Sequence, residues 1–502
     1  MKTNMRFAAL GNLTALTLLL VASATAHGGL TVVETNTDKG SLTTYKLTVT
    51  PAPEPVPALK HRLMLRDIEL QPGNAAPYYY RALLSLRWAE KAAEDKFGDD
   101  LYKWYTPAVS LDELPLEKVR EAVRLWTDPL MSNLRTATGR RKCDWQWDYT
   151  DIRGPEAISF ILEDIQESRG IARGLMLRAR LAIAEGRLDD ALECLRLNYR
   201  LATDVTKEPL LVCDLVGMHF AGMGNCTMIE LIAQPNSPNL YWALSELPRP
   251  LISTRGSIRV EVSMGLRTFP FLMQAETAEH SPEEWARLLS ETVTEFQLAA
   301  TQMHQFPGNG WPASRIAVAG LSLIVYPAAK QRLIDGGLDL RRVEQMAVGQ
   351  VLAIDAAREY RRIADEYEKW QYIPYRVVRE RNPDEPLGRR GPAAFVKGGY
   401  GYVLASMLLP AITAARTAEQ RILWQMEGIR TVEAIRMHAA RTGALPKALD
   451  EIKVVPVPNN PATAKPFEYE LDGDTAVLEL PRSDGFPGQA WRFEITLAES
   501  SK

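Results

Sequence analysis

The sequence predicts a mainly α-helical protein, built as stacked helical hairpins with a small C-terminal α+β cap, and three observations carry that prediction. From Asn74 to about Arg441, apolar residues recur at helical spacing and little alternates with period two. Clusters such as "EGRLD", "QPNSPN", "FPGNGWP" and "DGGLD" punctuate this region with helix stops and N-caps. After Gly443 the period switches. In "FEYELDGDTAVLELP", Phe467, Tyr469 and Leu471 alternate, Asp472-Gly473 turns the chain, and Ala476, Leu478 and Leu480 alternate back.

The chain opens with "MKTNMRFAALGNLTALTLLLVASATAHGG". Lys2 and Arg6 precede an apolar run from Phe7 to Val21, and Ala24-Thr25-Ala26 is a small-x-small site. This pattern predicts a secretory signal over residues 1–26, cut before His27, and hence an exported protein of the periplasm, envelope or exterior. The run is short for a membrane span, as is "YVLASMLLPAITAA" at 402–415, so no transmembrane segment is expected after removal of the signal. Residues 27–57 hold one or two Thr/Val-rich strands, then "PAPEPVP", an extended spacer because Pro lacks the N–H donor.

Helices are expected from Asn74, the predicted N-cap with Pro77 in the first turn, and then over roughly 155–185, 187–204, 208–233, 251–277, 281–304, 313–335 and 339–370. "RVVRERNPDEPLGRRGP" (376–392) is the predicted boundary of this 58–392 helical domain. A module of residues 393–502 follows. It has a long helix stopping at Gly443, a Pro-started turn in "ALPKALDEI", a Pro-rich loop, the hairpin, and a further strand in "QAWRFEITL". Phe467, Tyr469 and Leu471 should face that helix, and Glu468 and Glu470 should face water.

One hairpin resembles a tetratricopeptide-type repeat. In "LRARLAIAEGRLDDALECLRLNYRLA", Ala179, Gly186 and Ala191 stand where small residues let two helices touch and turn, while Asn198 departs from the pattern. The long helix, "LPKALDEI", "NPATAKPFEYEL" and the hairpin resemble the C-terminal half of type IV pilin-like and pseudopilin proteins. Pilins begin with their assembly helix, and this helix starts near residue 400, so the resemblance implies helix-on-sheet packing and not a pilus. "LQPGNAAPYYYRALL", "CDWQWDY", "SPNLYWALSELPRPLI" and "RLIDGGLDLRRVEQMAVGQV" are similar to stretches of a group of exported helical proteins of planctomycete bacteria. That resemblance implies kinship without an activity.

Over 502 residues the formal net charge is −3, which does not favour a nucleic-acid partner. Four cysteines are too few for a disulfide scaffold. Cys213 and Cys226, about 20 Å apart if on one helix, cannot bond, whereas Cys143 and Cys194 remain possible partners. The six histidines are scattered, with no HExxH, HxH or CxxC, and no P-loop, GxSxG or dinucleotide pattern occurs. Neither a cofactor nor a metal is expected. His219 reads as a core residue, "GGYGYV" as a hinge, and Arg361–Asp365 with Arg362–Glu366 as surface pairs on a helix.

The most unusual composition is "CDWQWDYTD", Cys143 to Asp151. Asp144, Asp148 and Asp151 would share a face on a helix, and Trp145, Trp147 and Tyr149 offer stacking surfaces for a sugar or a partner. Asp144, Trp145, Trp147 and Asp148 are the candidate binding residues, against the plainer reading of Trp core anchors with Asp caps. Two function classes follow. One is a non-catalytic envelope protein that binds a protein or peptide on its stacked helices. The other is a hydrolase of glycans or peptides using carboxylates near Cys143–Asp151.

Overall fold

A computed structural model describes residues 29–37, 40–147, 156–267, 270–302, 315–379, 392–480 and 490–498. The expected signal, Asp148 to Asp151 and the 380–391 part of the charged loop lie outside the described residues. The protein is mainly helical with a small sheet, as its periodicity predicts. No helix among the described residues is long and apolar enough to cross a membrane.

The elements follow in chain order. Strands β1 (Leu30–Thr37), β2 (Gly40–Val49) and β3 (Gln71–Asn74) come first. Helices α1 (Ala76–Phe97), α2 (Asp100–Trp104), α3 (Leu116–Arg124) and α4 (Asp128–Thr138) lead to the short β4 (Arg140–Lys142). Next are α5 (Glu156–Ala184), α6 (Leu188–Val205), α7 (Leu211–Ile232), α8 (Tyr241–Glu246), α9 (Arg255–Arg267) and α10 (Pro270–Gln274). Then come α11 (Pro282–Gln302), α12 (Arg315–Asp335), α13 (Leu340–Gln345), α14 (Val348–Glu368), α15 (Tyr375–Arg379), α16 (Pro392–Leu408) and α17 (Pro410–Thr442). The chain closes with β5 (Glu468–Asp472), β6 (Thr475–Leu480) and β7 (Ala490–Leu497).

These elements fall into two compact units that interleave in sequence. The first comprises residues 1–19, 148–160 and 258–414, and the second residues 20–147, 161–257 and 415–502. In the first, α14 packs against α10, α11, α12 and α16. Its buried Asp355 takes a two-point contact from Arg332 of α12, at 2.7 and 2.6 Å. Another nitrogen of Arg332 reaches the Lys397 carbonyl. That carbonyl is free to be reached because Gly399, at φ +63°, breaks α16 there. The "GGYGYV" hinge is thus a break inside a helix. On α14, Arg362 pairs with Glu359 and not with Glu366, which pairs with Lys369.

The second unit holds a five-stranded sheet of order β1-β2-β7-β6-β5. β2 and β7 run parallel and the other pairs antiparallel. The N-terminal strands, read in the sequence as a separate 27–57 segment, are therefore part of the C-terminal sheet. The expected alternation holds: Phe467 is buried, Tyr469 and Leu471 are half-buried, and Glu468 and Glu470 are exposed. The turn shifts by one residue, since Asp472 pairs with Thr475 and leaves Gly473-Asp474 at the tip, with Gly473 at φ +59°. Leu480 approaches α17 so closely that a Cβ on Gly428 would lie 2.2 Å from its Cδ2. Tyr45 of β2 stacks on Phe493 of β7, and Trp424 of α17 meets Trp491.

Two buried arginines tie distant segments of this unit. Arg436 binds Glu433 and donates to the carbonyls of Thr50, Ser237 and Pro238. Arg180 of α5 binds Glu230 of α7 at 2.8–3.0 Å and donates to the carbonyls of Trp104 and Val109. Each satisfies its charge, so burial is tolerable, and removing one partner would strand the other. The α5–α6 hairpin forms as expected, with Gly186 at φ +73° in its turn. Ala179 and Ala191 are fully buried, and Asn198 donates to the Phe220 carbonyl.

Asn74 is not the helix cap. It ends β3, which pairs with β4, and Ala75 precedes the helix without a side-chain cap. The Asn74 side chain is divided between the Ala76 and Asp144 N–H groups and the Asp144 carbonyl.

Candidate functional site

The "CDWQW" segment is irregular loop, not helix, with Gln146 at φ +57°, so the shared Asp face does not form over its described residues. Trp145 is buried. It stacks on Tyr79 at 5.4 Å and on Trp147 at 5.5 Å, and its indole N–H donates to the Asp204 carbonyl at 2.8 Å. Trp147 is half-buried and donates to the Tyr80 hydroxyl. Asp144 pairs with Lys142 and accepts the Gln146 N–H. These contacts lower the Asp144 carboxyl below its usual range. Beneath the rings, burial raises the Asp204 carboxyl although Arg200 and the Tyr79 hydroxyl oppose it. Of the four candidate residues, Trp145 and Trp147 stack over the core, Asp144 is paired with Lys142 at the surface, and Asp148 lies outside the described residues.

The four cysteines are free thiols, Cys143 and Cys194 included. Cys213 and Cys226 share α7, which meets the condition under which their spacing keeps them from bonding. His219 is not a core residue. It lies on an open side of α7, near Arg169 and Arg173. Among the described residues no His/Cys/Asp/Glu group is arranged to hold a metal.

A different cleft is open. Glu90, Ala93 and Glu94 of α1 form one wall, Leu101, Tyr102 and Tyr105 a second, and Ala122, Trp126, Arg173, Gly174 and Leu177 the rest. Its floor belongs to the apolar cluster of Trp104, Leu114, Val119, Ala122, Leu177 and Leu181. The Arg180–Glu230 pair holds this floor by gripping the Trp104 and Val109 carbonyls. Small residues bring the helices together: a Cβ on Gly174 would fall 0.8 Å from the Trp126 ring, and one on Gly170 would fall 2.6 Å from Glu90.

The polar lining is mixed in charge. The Arg173 guanidinium lies over Tyr102 at 5.4 Å and over Tyr105 at 5.9 Å, and reaches Glu90 at 3.3 Å. Glu94 accepts the Tyr102 hydroxyl at 2.5 Å, and this, with partial burial, pushes that phenol up to about 12. Burial raises the Glu90 carboxyl, and the Arg173 charge only partly offsets it. Two carboxylates therefore face one guanidinium. The enclosed space is about 20 Å³, room for one water, so only the exposed rim at Glu94 and Tyr102 can meet a partner's polar or cationic group.

Nothing in the linear sequence sets these residues apart. The signals were present: Glu90 and Glu94 at i,i+4, Tyr102 and Tyr105 three apart, and glycines bracketing Arg173 in "GIARG". None is unusual on a helix, and only the packing of α1, α2 and α5 brings them together.

No family model matches the chain, and neither the curated proteins nor the solved structures contain a match to it.

Proposed function

We propose that the protein is a non-catalytic, exported protein-binding or scaffold protein of the cell envelope, and that a cationic side chain of a protein or peptide partner meets Glu94 and Tyr102 on the rim of the Glu90–Arg173 cleft. The observation that carries this reading is the cleft's charge, two carboxylates against one guanidinium, on an aromatic wall open to solvent. A lysine or arginine from a partner would neutralise Glu94 and lie against the Tyr102 ring. Export rests on Lys2, Arg6, the apolar run and Ala24-Thr25-Ala26.

The test is crosslinking in the native envelope fraction. A partner captured by the wild type should be lost with Glu94→Lys and weakened with Tyr102→Ala. A partner retained by both variants places the binding surface elsewhere, and no reproducible partner counts against the reading. The mature N-terminus should be His27, read by N-terminal sequencing.

The rival reading is a hydrolase of glycans or peptides centred on Cys143–Asp151. It draws less support, because Trp145 stacks inside a core and Asp144 is engaged with Lys142 and Gln146.

A further inference from the structure

Arg169, Arg173 and Arg180 lie on one stripe of α5, one turn and then two turns apart. Two of them have carboxylates: Arg180 binds Glu230, and Arg173 reaches Glu90. Arg169 makes no hydrogen bond or ion pair among the described residues. Its side chain is half-buried. Its Nε is sealed from water without an acceptor, while its terminal nitrogens still reach solvent. Burial and the Arg173 charge both lower its pKa, and no acid offsets them. Glu90 and Glu94 are engaged with Arg173 and Tyr102, and neither acts on Arg169.

Helix register fixes what faces Arg169. Arg180 of α5 meets Glu230 of α7, 50 residues on, and Met176 meets the Thr227 hydroxyl, 51 residues on, so the two helices run parallel. The same offset sets His219 opposite Arg169. His219 thus stands to Arg169 as Glu230 stands to Arg180, but without a negative charge. Its ring is open to solvent on one side. Desolvation, and then the Arg169 and Arg173 charges, push it down to about 4, so at pH 7 it is neutral and keeps one ring N–H.

We propose that Arg169 and His219 form a binding site for a carboxylate group, taken end-on by the two terminal nitrogens of Arg169 with the His219 ring N–H as a further donor. Two arguments select this ligand. The edge of a guanidinium presents two parallel N–H bonds at the spacing of carboxylate oxygens. One uncompensated positive charge calls for one negative charge, whereas a phosphate dianion needs a second free cation, and Arg173 is held by Glu90. Water at the terminal nitrogens leaves the half-buried charge without a counter-charge. The carboxylate has two sources, a small free acid or the acidic side chain of a peptide. The inference stands whether or not the Glu94–Tyr102 rim binds a cation.

The experiment follows the histidine ring resonances of the full-length protein at pH 7. Sodium acetate is titrated against sodium chloride of equal ionic strength. Acetate should shift the His219 ring saturably and leave His280, which pairs with Glu284, unmoved. Arg169→Gln should raise the half-saturating acetate concentration roughly ten-fold or more. Arg169→Lys, which keeps the charge and loses the fork, should fall between. In chloride, Arg169→Gln should melt no lower than wild type, because it removes an unpaired, partly desolvated charge. N-acetylaspartate amide separates the sources: tighter binding than acetate names an acidic peptide, and equal binding names a small free acid. The proposal is overturned if chloride moves His219 as far as acetate does, if inorganic phosphate binds more tightly than acetate, or if Arg169→Gln leaves acetate binding unchanged. A lower melting temperature for Arg169→Gln in chloride would assign the guanidinium a partner within the fold, and overturns it as well.

Discussion

Two clusters of aromatic rings and carboxylates rest on α1 and are built from the same residue types, yet one is closed and the other open. Around Trp145, the rings and most polar ends are held inside the fold: the indoles reach the Asp204 carbonyl and the Tyr80 hydroxyl, and one carboxylate oxygen of Asp204 accepts from Tyr79 and Arg200 while the other is buried without a partner. Around Tyr102, Glu94 and Arg173 are only partly used, and Glu90 has one long contact. Composition does not separate a core from a site. What separates them is exposure: Trp145 and Asp204 are buried, whereas Glu94 and Tyr102 are exposed, so their remaining hydrogen-bonding capacity is met by water or by a ligand.

The sharpest way to break this comparison is to truncate one ring in each cluster. Trp145→Ala removes a stacked, buried indole and its hydrogen bond, and should cost about 3–5 kcal/mol in urea unfolding. An effect below about 1 kcal/mol would show that the lid is not part of the core.

A buried acid outside both clusters isolates the role of partners. Asp214 of α7 is buried, accepts the Ser257 hydroxyl, pairs with no cation among the described residues, and feels the carboxylate of Glu419. Burial pushes it up to about 7 from an ordinary 3.8. A raised folded-state pKa means that the folded protein holds a proton the unfolded chain has released. Its stability contribution is therefore complete below about pH 4 and is lost as pH rises toward 7. The loss should reach up to about 4 kcal/mol. Asp214→Asn should flatten this slope and raise stability at pH 8, measured by thermal unfolding across pH. A variant with the wild-type slope would assign the titration to another group.

The cleft wall offers a smaller effect. Gly174→Ala drives a methyl into Trp126, and should cost about 1–3 kcal/mol by overpacking. It should also shift Trp126 and impair partner binding together. Unchanged stability would mean that α5 slides freely past Trp126.

The smallest effect is expected at the open rim. Tyr102→Phe removes only the hydroxyl held by Glu94, and stability should change by less than about 0.5 kcal/mol. If the cleft is functional, partner affinity should fall while the melting temperature stays fixed. A large loss of stability would make the cleft as structural as the Trp145 cluster.

By itself the sequence determined the local elements. Apolar spacing placed α5, α6, α7, α11 and α12 to within a few residues but ran α9 together with α10 and α13 with α14, Gly186 and Gly443 marked turns that need positive φ, and alternation set which face of β5 and β6 is dry. Each of these depends on neighbours within one or two turns of chain, so each is legible locally. Tertiary structure decided the rest. It paired β2 with β7 across more than four hundred residues, moved Asn74 from a helix cap into a strand, and set Arg180 and Arg436 as ties between remote segments. It also closed the rings around Trp145 and left those around Arg173 open. Those outcomes depend on which distant donors and acceptors meet, and on glycines such as Gly174 and Gly428 whose role appears only once another element lies against them.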